Sequence, residues 1–211
     1  MARKTGELMG LARFAKSAAV AAVLSAVGAS ATLAATFDGI FSLSGSSFAE
    51  PGLVMQTSAQ TGAMTFQLDT VGQSITLDLF DIWTNENRAN GNNTQTDSLV
   101  ADFTFASLGT SGAATGATTG HGGIIQYASL AWAGPVMLNF GNGGLLSIAL
   151  NDANFAYGLF AFGRGQANGA TVQATVTLLA TPVPVPLPAS GLALIAALGA
   201  GSIVARRRRA A

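Results

Sequence analysis

Apolar residues in the middle of this chain recur at every second position, and that period leaves little choice of secondary structure. In residues 74–81, Ile75, Leu77 and Leu79 alternate with Thr76 and Asp78. In residues 98–106, Leu99, Ala101, Phe103 and Phe105 alternate with Val100, Asp102 and Thr104; in residues 170–178, Val172, Ala174, Val176 and Leu178 alternate with Thr171, Gln173, Thr175 and Thr177. Successive side chains of a strand point to opposite faces, so this pattern predicts half-buried strands. Residues 36–43, 53–58, 64–69 and 124–133 carry weaker versions of it. Residues 136–140 and 145–150 flank Gly141-Asn142-Gly143-Gly144, whose glycines tolerate positive φ, and the pair predicts a β-hairpin. About nine or ten short strands separated by turn residues predict an all-β body, an antiparallel β-sandwich or jelly-roll-like domain without a globular helix. Residues 85–97 read as a polar, Asn-rich loop. Residues 107–123, a Gly/Ala/Thr low-complexity stretch, read as a second, mobile loop.

The core of such a body must hold it together unaided. The chain has no cysteine, which excludes disulfides, thiolate zinc sites and cysteine nucleophiles. About 145 residues suffice for one domain that buries about two-thirds of its unfolded surface. The formal net charge of zero hides a segregation. Basic residues concentrate at the two ends, leaving residues 36–180 with Arg88 and Arg164 against nine carboxylates, a net charge of −7. An acidic body argues against nucleic acid and anionic lipid as partners, since both need a basic surface.

Both ends carry targeting patterns. Arg3, Lys4, Arg13 and Lys16 precede an apolar segment, residues 18–29, followed by Ala29-Ser30-Ala31 and Thr32-Leu33-Ala34-Ala35. A positive n-region, a short h-region and small residues predict a secretory signal peptide over residues 1–35, cleaved between Ala31 and Ala35. The other end begins with a Pro-rich linker, residues 181–190, in which prolines at alternate positions remove backbone donors and favour an extended strap. An uncharged run, residues 191–205, follows and contains Gly191, Leu192, Leu194, Ile195, Leu198, Ile203 and Val204. It is expected to enter a bilayer as a helix, with Arg206, Arg207, Arg208 and Arg209 holding residues 206–211 in the cytoplasm. The body, residues 36–180, is then extracytoplasmic.

Val185-Pro186-Leu187-Pro188-Ala189, the apolar run and the arginine cluster, in that order, resemble the VPLPA variant of the PEP-CTERM exosortase sorting tails of Gram-negative bacteria. Leu187 occupies the middle position where the commoner form has Glu. The resemblance implies recognition by a membrane-embedded exosortase, transient residence in the inner membrane, cleavage near the Pro motif, and delivery to the cell surface or biofilm matrix. An ordinary C-terminal anchor is the alternative. At about 1.5 Å per residue the apolar run reaches roughly 22 Å, short of the ~30 Å hydrocarbon core, which suits a tail destined for removal better than a permanent anchor. The body also resembles, loosely, the β-rich ectodomains of VPLPA-type proteins, through Tyr127-Ala128-Ser129-Leu130-Ala131-Trp132, Leu150-Asn151-Asp152-Ala153-Asn154-Phe155 and residues 170–176.

Chemistry-bearing residues in the body are few. His121, the only histidine, falls in the Gly-rich stretch, where a solvated loop residue is expected rather than a base with a fixed partner. Asp78 with Asp81, or Asp97 with Asp102, have the composition of an acid–base pair of the glycoside-hydrolase type, but Asp78 and Asp102 lie on polar strand faces, where solvated carboxylates are the simpler reading. Asn85-Glu86-Asn87-Arg88-Ala89-Asn90-Gly91-Asn92-Asn93, and Asn151-Asp152 with Asn154, offer oxygen ligands of the kind Ca²⁺ takes; Asx turns account for both sets without a metal. No cofactor is expected. Trp83, Trp132, Tyr127 and Tyr157 are candidates for a sugar-stacking platform or for the core. Trp132 falls in an apolar strand, and Trp83, beside the Asn-rich loop, is the exposed candidate. The sequence therefore points to an exported surface or matrix protein with a structural or adhesive role and no catalysis. The competing readings are a carbohydrate-binding module for exopolysaccharide and, more remotely, a secreted hydrolase.

Overall fold

In the structure, a computed structural model, residues 35–183 are described. The signal segment (residues 1–34), the sorting motif, the apolar run and the arginine cluster (residues 184–211) lie outside the described residues. No described helix is long and apolar enough to cross a membrane.

The alternating segments form two antiparallel sheets. The strands are β1 (Ala35–Ser44), β2 (Met55–Thr57), β3 (Thr61–Leu68), β4 (Ser74–Thr84), β5 (Asp97–Phe105), β6 (Thr110–His121), β7 (Ile125–Trp132), β8 (Val136–Phe140), β9 (Gly144–Leu150), β10 (Ala153–Leu159) and β11 (Ala170–Ala180). One sheet has the order β10-β7-β6-β5-β1-β3, the other β2-β4-β11-β9-β8. The expected all-β, sandwich-like class is realised. The expected hairpin is present as well, with Phe140 opposite Gly144 and Gly141 and Gly143 at φ 52° and 86°.

Inward residues of both sheets share one core. Phe37 of the first sheet meets Phe140 of the second edge-on at 5.7 Å, and Phe41 meets Phe80 at 6.0 Å. Phe103, Leu99, Ile82, Val172, Val176 and Leu146 are fully buried between the layers. Burying a large apolar side chain contributes about 1.5–3 kcal/mol, and this dry layer is the source of stability that a cysteine-free chain requires.

One expectation needs correction. Residues 107–123 are not a loop, because most of them form β6, which lies between β5 and β7 inside the first sheet. Their composition reflects close approach. On the core-facing side of β6, Ala114, Gly116, Thr118 and Gly120 are buried, and the space beside the glycines is taken. A Cβ on Gly112 would lie 2.6 Å from Leu138, on Gly116 2.8 Å from Trp132, and on Gly120 2.5 Å from the carbonyl oxygen of Asn93. Residues 153–159, which lack clean alternation, form the edge strand β10. In β4 the alternation expected at Ile75, Leu77 and Leu79 is present, and it changes face after Leu79. Phe80 pairs with Val172 and Asp78 with Gln173, so Leu79 is an extra, bulged residue. Before it the odd positions Ile75 and Leu77 turn inward; after it Phe80, Ile82 and Thr84 do.

Candidate functional site

Tyr157 reaches the solvent face of the first sheet because β10 is bulged. Phe155 pairs with Ala128 and Gly158 with Gln126, so Ala156 and Tyr157 together oppose Tyr127. Ala156 sits in the left-handed region at φ 58°. Regular alternation from the buried Phe155 would turn Tyr157 into the core. The extra residue reverses it, leaving Ala156 fully buried and Tyr157 55 % exposed.

Tyr127 faces outward from the neighbouring strand, and His121, at the end of β6, is its cross-strand partner. The three rings form a row. His121 stacks on Tyr127 at 4.3 Å with 12° between planes, and Tyr127 on Tyr157 at 5.3 Å with 15°. His121 Nε2 lies 2.8 Å from Ser129 Oγ, and Ser129 donates in turn to the Thr119 carbonyl at 3.3 Å. With the Ser129 hydrogen directed there, the imidazole donates from Nε2. The solvated loop histidine expected from sequence is thus corrected to a half-buried residue on a strand, stacked on one face and hydrogen-bonded at one nitrogen. Such pairing is worth about 0.5–1.5 kcal/mol beyond area burial. Beside the row, Leu159 pairs with Ile125 on the same outer face; both are exposed, as are Ile124 and Phe160 in the adjoining turns.

Of the four aromatic candidates, the structure brings together Tyr127 and Tyr157 and separates the rest. Trp132 ends β7 on the core-facing side and packs against the core, with its Nε1 buried and without a hydrogen-bond partner. Trp83 belongs to the other sheet, opposite Gln56 of β2. It is half-buried, with its Cβ close to Gly169. The sequence signal that pointed to Trp83 was its position beside the Asn-rich loop. From sequence His121 reads only as a solvated residue, because the strand that fixes it looks like a mobile loop.

The acidic candidates resolve into surface scaffolding. The β4 bulge places Asp78 and Asp81 on one outer face, where they line a groove of about 300 Å³ with Ser58 and Thr171. Asp78 accepts from Gln173 Nε2 at 2.7 Å. Asp81 accepts from Gln166 Nε2 at 3.0 Å and Thr171 Oγ1 at 2.8 Å. The Gln166 amide first, and then the Thr171 hydroxyl, hold the Asp81 carboxyl below its ordinary value. A general acid needs the opposite shift. Asp97 accepts from Ser46 Oγ at 3.3 Å and from the Leu53 backbone at 3.2 Å, clamping the β1–β2 connection, and Asp102 faces solvent.

The Asn-rich loop is folded onto the first sheet. Asn90 Oδ1 accepts from the Asn92 and Asn93 amides, an Asx turn. Asn93 is buried, donates to the Arg88 carbonyl and accepts from the Gly120 amide at 2.8 Å. Asn151 Oδ1 accepts from the Gln173 amide, and Asp152 Oδ1 from the Trp132 amide at 2.7 Å. Of the oxygens considered for Ca²⁺, Asn90 Oδ1, Asn151 Oδ1 and Asp152 Oδ1 thus serve backbone donors. Among the described residues no group of three or more His, Asp or Glu side chains is arranged to hold a metal ion.

No protein-family model, curated protein or solved structure matches this chain.

Proposed function

We propose that this chain is an exported protein of the cell surface or extracellular matrix, with a structural or adhesive role and an exosortase-type sorting tail. The observation that carries the reading is the ordered tail: Val185 to Ala189, then an uncharged run, then Arg206 to Arg209. The body suits that destination. It draws its stability from an apolar core between two sheets and contains no thiol to oxidise. It also ends on β11, an interior strand of the second sheet. Beyond β11 the Val183 amide donates to the Asn142 carbonyl at 2.8 Å, so the Pro-rich linker leaves from an anchored point. A processing enzyme at the membrane is then offered an extended, donor-poor backbone.

The test is the intact mass and location of the protein in wild-type and exosortase-deficient cells. Surface material lacking Arg206 to Arg209 is expected in the wild type, and unprocessed, membrane-bound chain in the deficient strain. Replacing the four arginines together by neutral residues should abolish sorting, because the tail loses its positive-inside anchor. Surface protein that retains the apolar run and arginines overturns the reading. Carbohydrate binding is the second reading, favoured by the stacked row of His121, Tyr127 and the exposed Tyr157 rather than by Trp83.

A further inference from the structure

We propose that the row His121–Tyr127–Tyr157 is a binding subsite for an uncharged saccharide, in which Tyr157 supplies the stacking face and His121 and Ser129 the polar edge. The proposal rests on the extracellular reading above for its biological setting, and on the following geometry for its chemistry.

A pyranose is amphipathic: its ring C–H groups make an apolar face and its hydroxyls a polar rim. A site for it needs an exposed aromatic face with hydrogen-bonding groups to one side. Tyr157 lies on the edge strand and is 55 % exposed, while Tyr127 backs only one of its faces, at 5.3 Å. The face turned away from Tyr127 has no further strand beside it, since β10 ends the sheet. The row is also fixed in advance. His121 is held by Ser129 and by stacking at 4.3 Å, so little side-chain freedom is lost when a ligand arrives. The polar groups of the row are an imidazole, two phenols and a serine hydroxyl, none of them a carboxylate or a guanidinium. That set can donate to and accept from sugar hydroxyls, and it holds no guanidinium or ammonium to pair with a phosphate or a carboxylate.

Two other occupants fit less well. A second copy adding a strand to β10 meets a blocked edge, because the Gly163 amide already donates to the Ala156 carbonyl at 2.9 Å and the turn after β10 folds back over that stretch. A lipid surface would suit Ile124, Ile125, Leu159 and Phe160, but the body's net charge of −7 repels anionic headgroups. The bulge, with Ala156 at φ 58°, brings an aromatic ring out of the core and into line with Tyr127.

The test uses the full chain in lauryldimethylamine oxide, a detergent without a sugar headgroup, titrated calorimetrically with cellohexaose, laminarihexaose and, as the acidic comparison, an alginate hexamer. Saturable binding of at least one neutral hexamer is expected, with the alginate hexamer weaker. Tyr157→Ala should weaken binding about tenfold or more, whereas Tyr157→Phe and Tyr157→Trp, which keep a ring face, should bind within about threefold of the parent. Far-ultraviolet circular dichroism and melting of each variant report the fold. If Tyr157→Ala is misfolded, saturation-transfer NMR on the parent takes its place, with transfer expected to the C–H protons of one sugar face. No binding of either neutral hexamer overturns the proposal, as does equal affinity of Tyr157→Ala and parent, or preference for the alginate hexamer. Concentration-dependent self-association abolished by Tyr157→Ala, without sugar binding, also overturns it and assigns the patch to a second copy. None of these outcomes alters the processing experiment, so loss of the saccharide site and loss of the sorting reading are separate results.

Discussion

Replacing Gly120 by alanine adds one methyl group to a stretch that composition alone would call a linker. In a loop, such a change stabilises by about 0.4–1 kcal/mol, because alanine has fewer unfolded conformations to lose. In this fold the sign reverses. The new Cβ would stand 2.5 Å from the Asn93 carbonyl oxygen and 3.1 Å from Phe162 Cζ. The nearer atom is backbone and cannot swing aside as a side chain would. It is also the acceptor of the Gly120 amide at 2.8 Å, the bond that docks the Asn-rich loop onto β6. Overpacking costs about 1–3 kcal/mol and the weakened hydrogen bond about 1 kcal/mol. Set against the chain-entropy gain, the net is a destabilisation of ~1–3 kcal/mol. Gly122 supplies the internal control: its nearest neighbour is Ala89 Cβ at 3.7 Å, an ordinary contact, so Gly122→Ala should be neutral or slightly stabilising. The assay is urea unfolding of both variants and the parent. Gly120→Ala should lower the midpoint by about 1 M with an unchanged slope. A midpoint at or above the parent's would refute the strand assignment of residues 110–121 and the reason given for their composition.

Two further predictions concern stability. Asp81 has a folded-state pKa depressed by Gln166 and then Thr171, so its contribution is present above the ordinary carboxylate value of 3.8 and is lost as pH falls through the lower folded value. Asp81→Asn should therefore be less stable than the parent at neutral pH, with the difference closing in acid; melting curves over an acid series measure this, and a difference that widens in acid refutes it. Ser47 Oγ meets Thr118 Oγ1 at 2.7 Å in the core and donates to the Ser98 carbonyl at 2.9 Å, so Thr118→Val removes a donor from a buried hydroxyl. A loss of about 1–2 kcal/mol in urea unfolding is expected, and combining it with Ser47→Ala should cost less than the sum of the two single changes.

The alternation in residues 98–105 and 170–178 was enough to assign both strands and their buried faces, because a half-buried strand imposes a period of two on its sequence whatever its partners are. The hairpin of residues 136–150 was equally plain, since few residues other than glycine accept the positive φ its turn needs. The absence of cysteine and the charge segregation likewise needed no coordinates. Tertiary structure decided the rest where space, not polarity, selects the residue. In β6, glycines at 112, 116 and 120 face the core because neighbouring side chains and the Asn93 backbone already fill the volume, and a hydropathy pattern does not record volume occupied by something else. The two bulges are a second case. One extra residue at Leu79 puts Asp78 and Asp81 on a common face, and one at Ala156 turns Tyr157 outward beside Tyr127 and His121. A bulge is fixed by how two strands pair, and pairing partners far apart in the chain leave no local mark. The candidate site depends on such a bulge, so its residues were visible in the sequence while their meeting on one face was not.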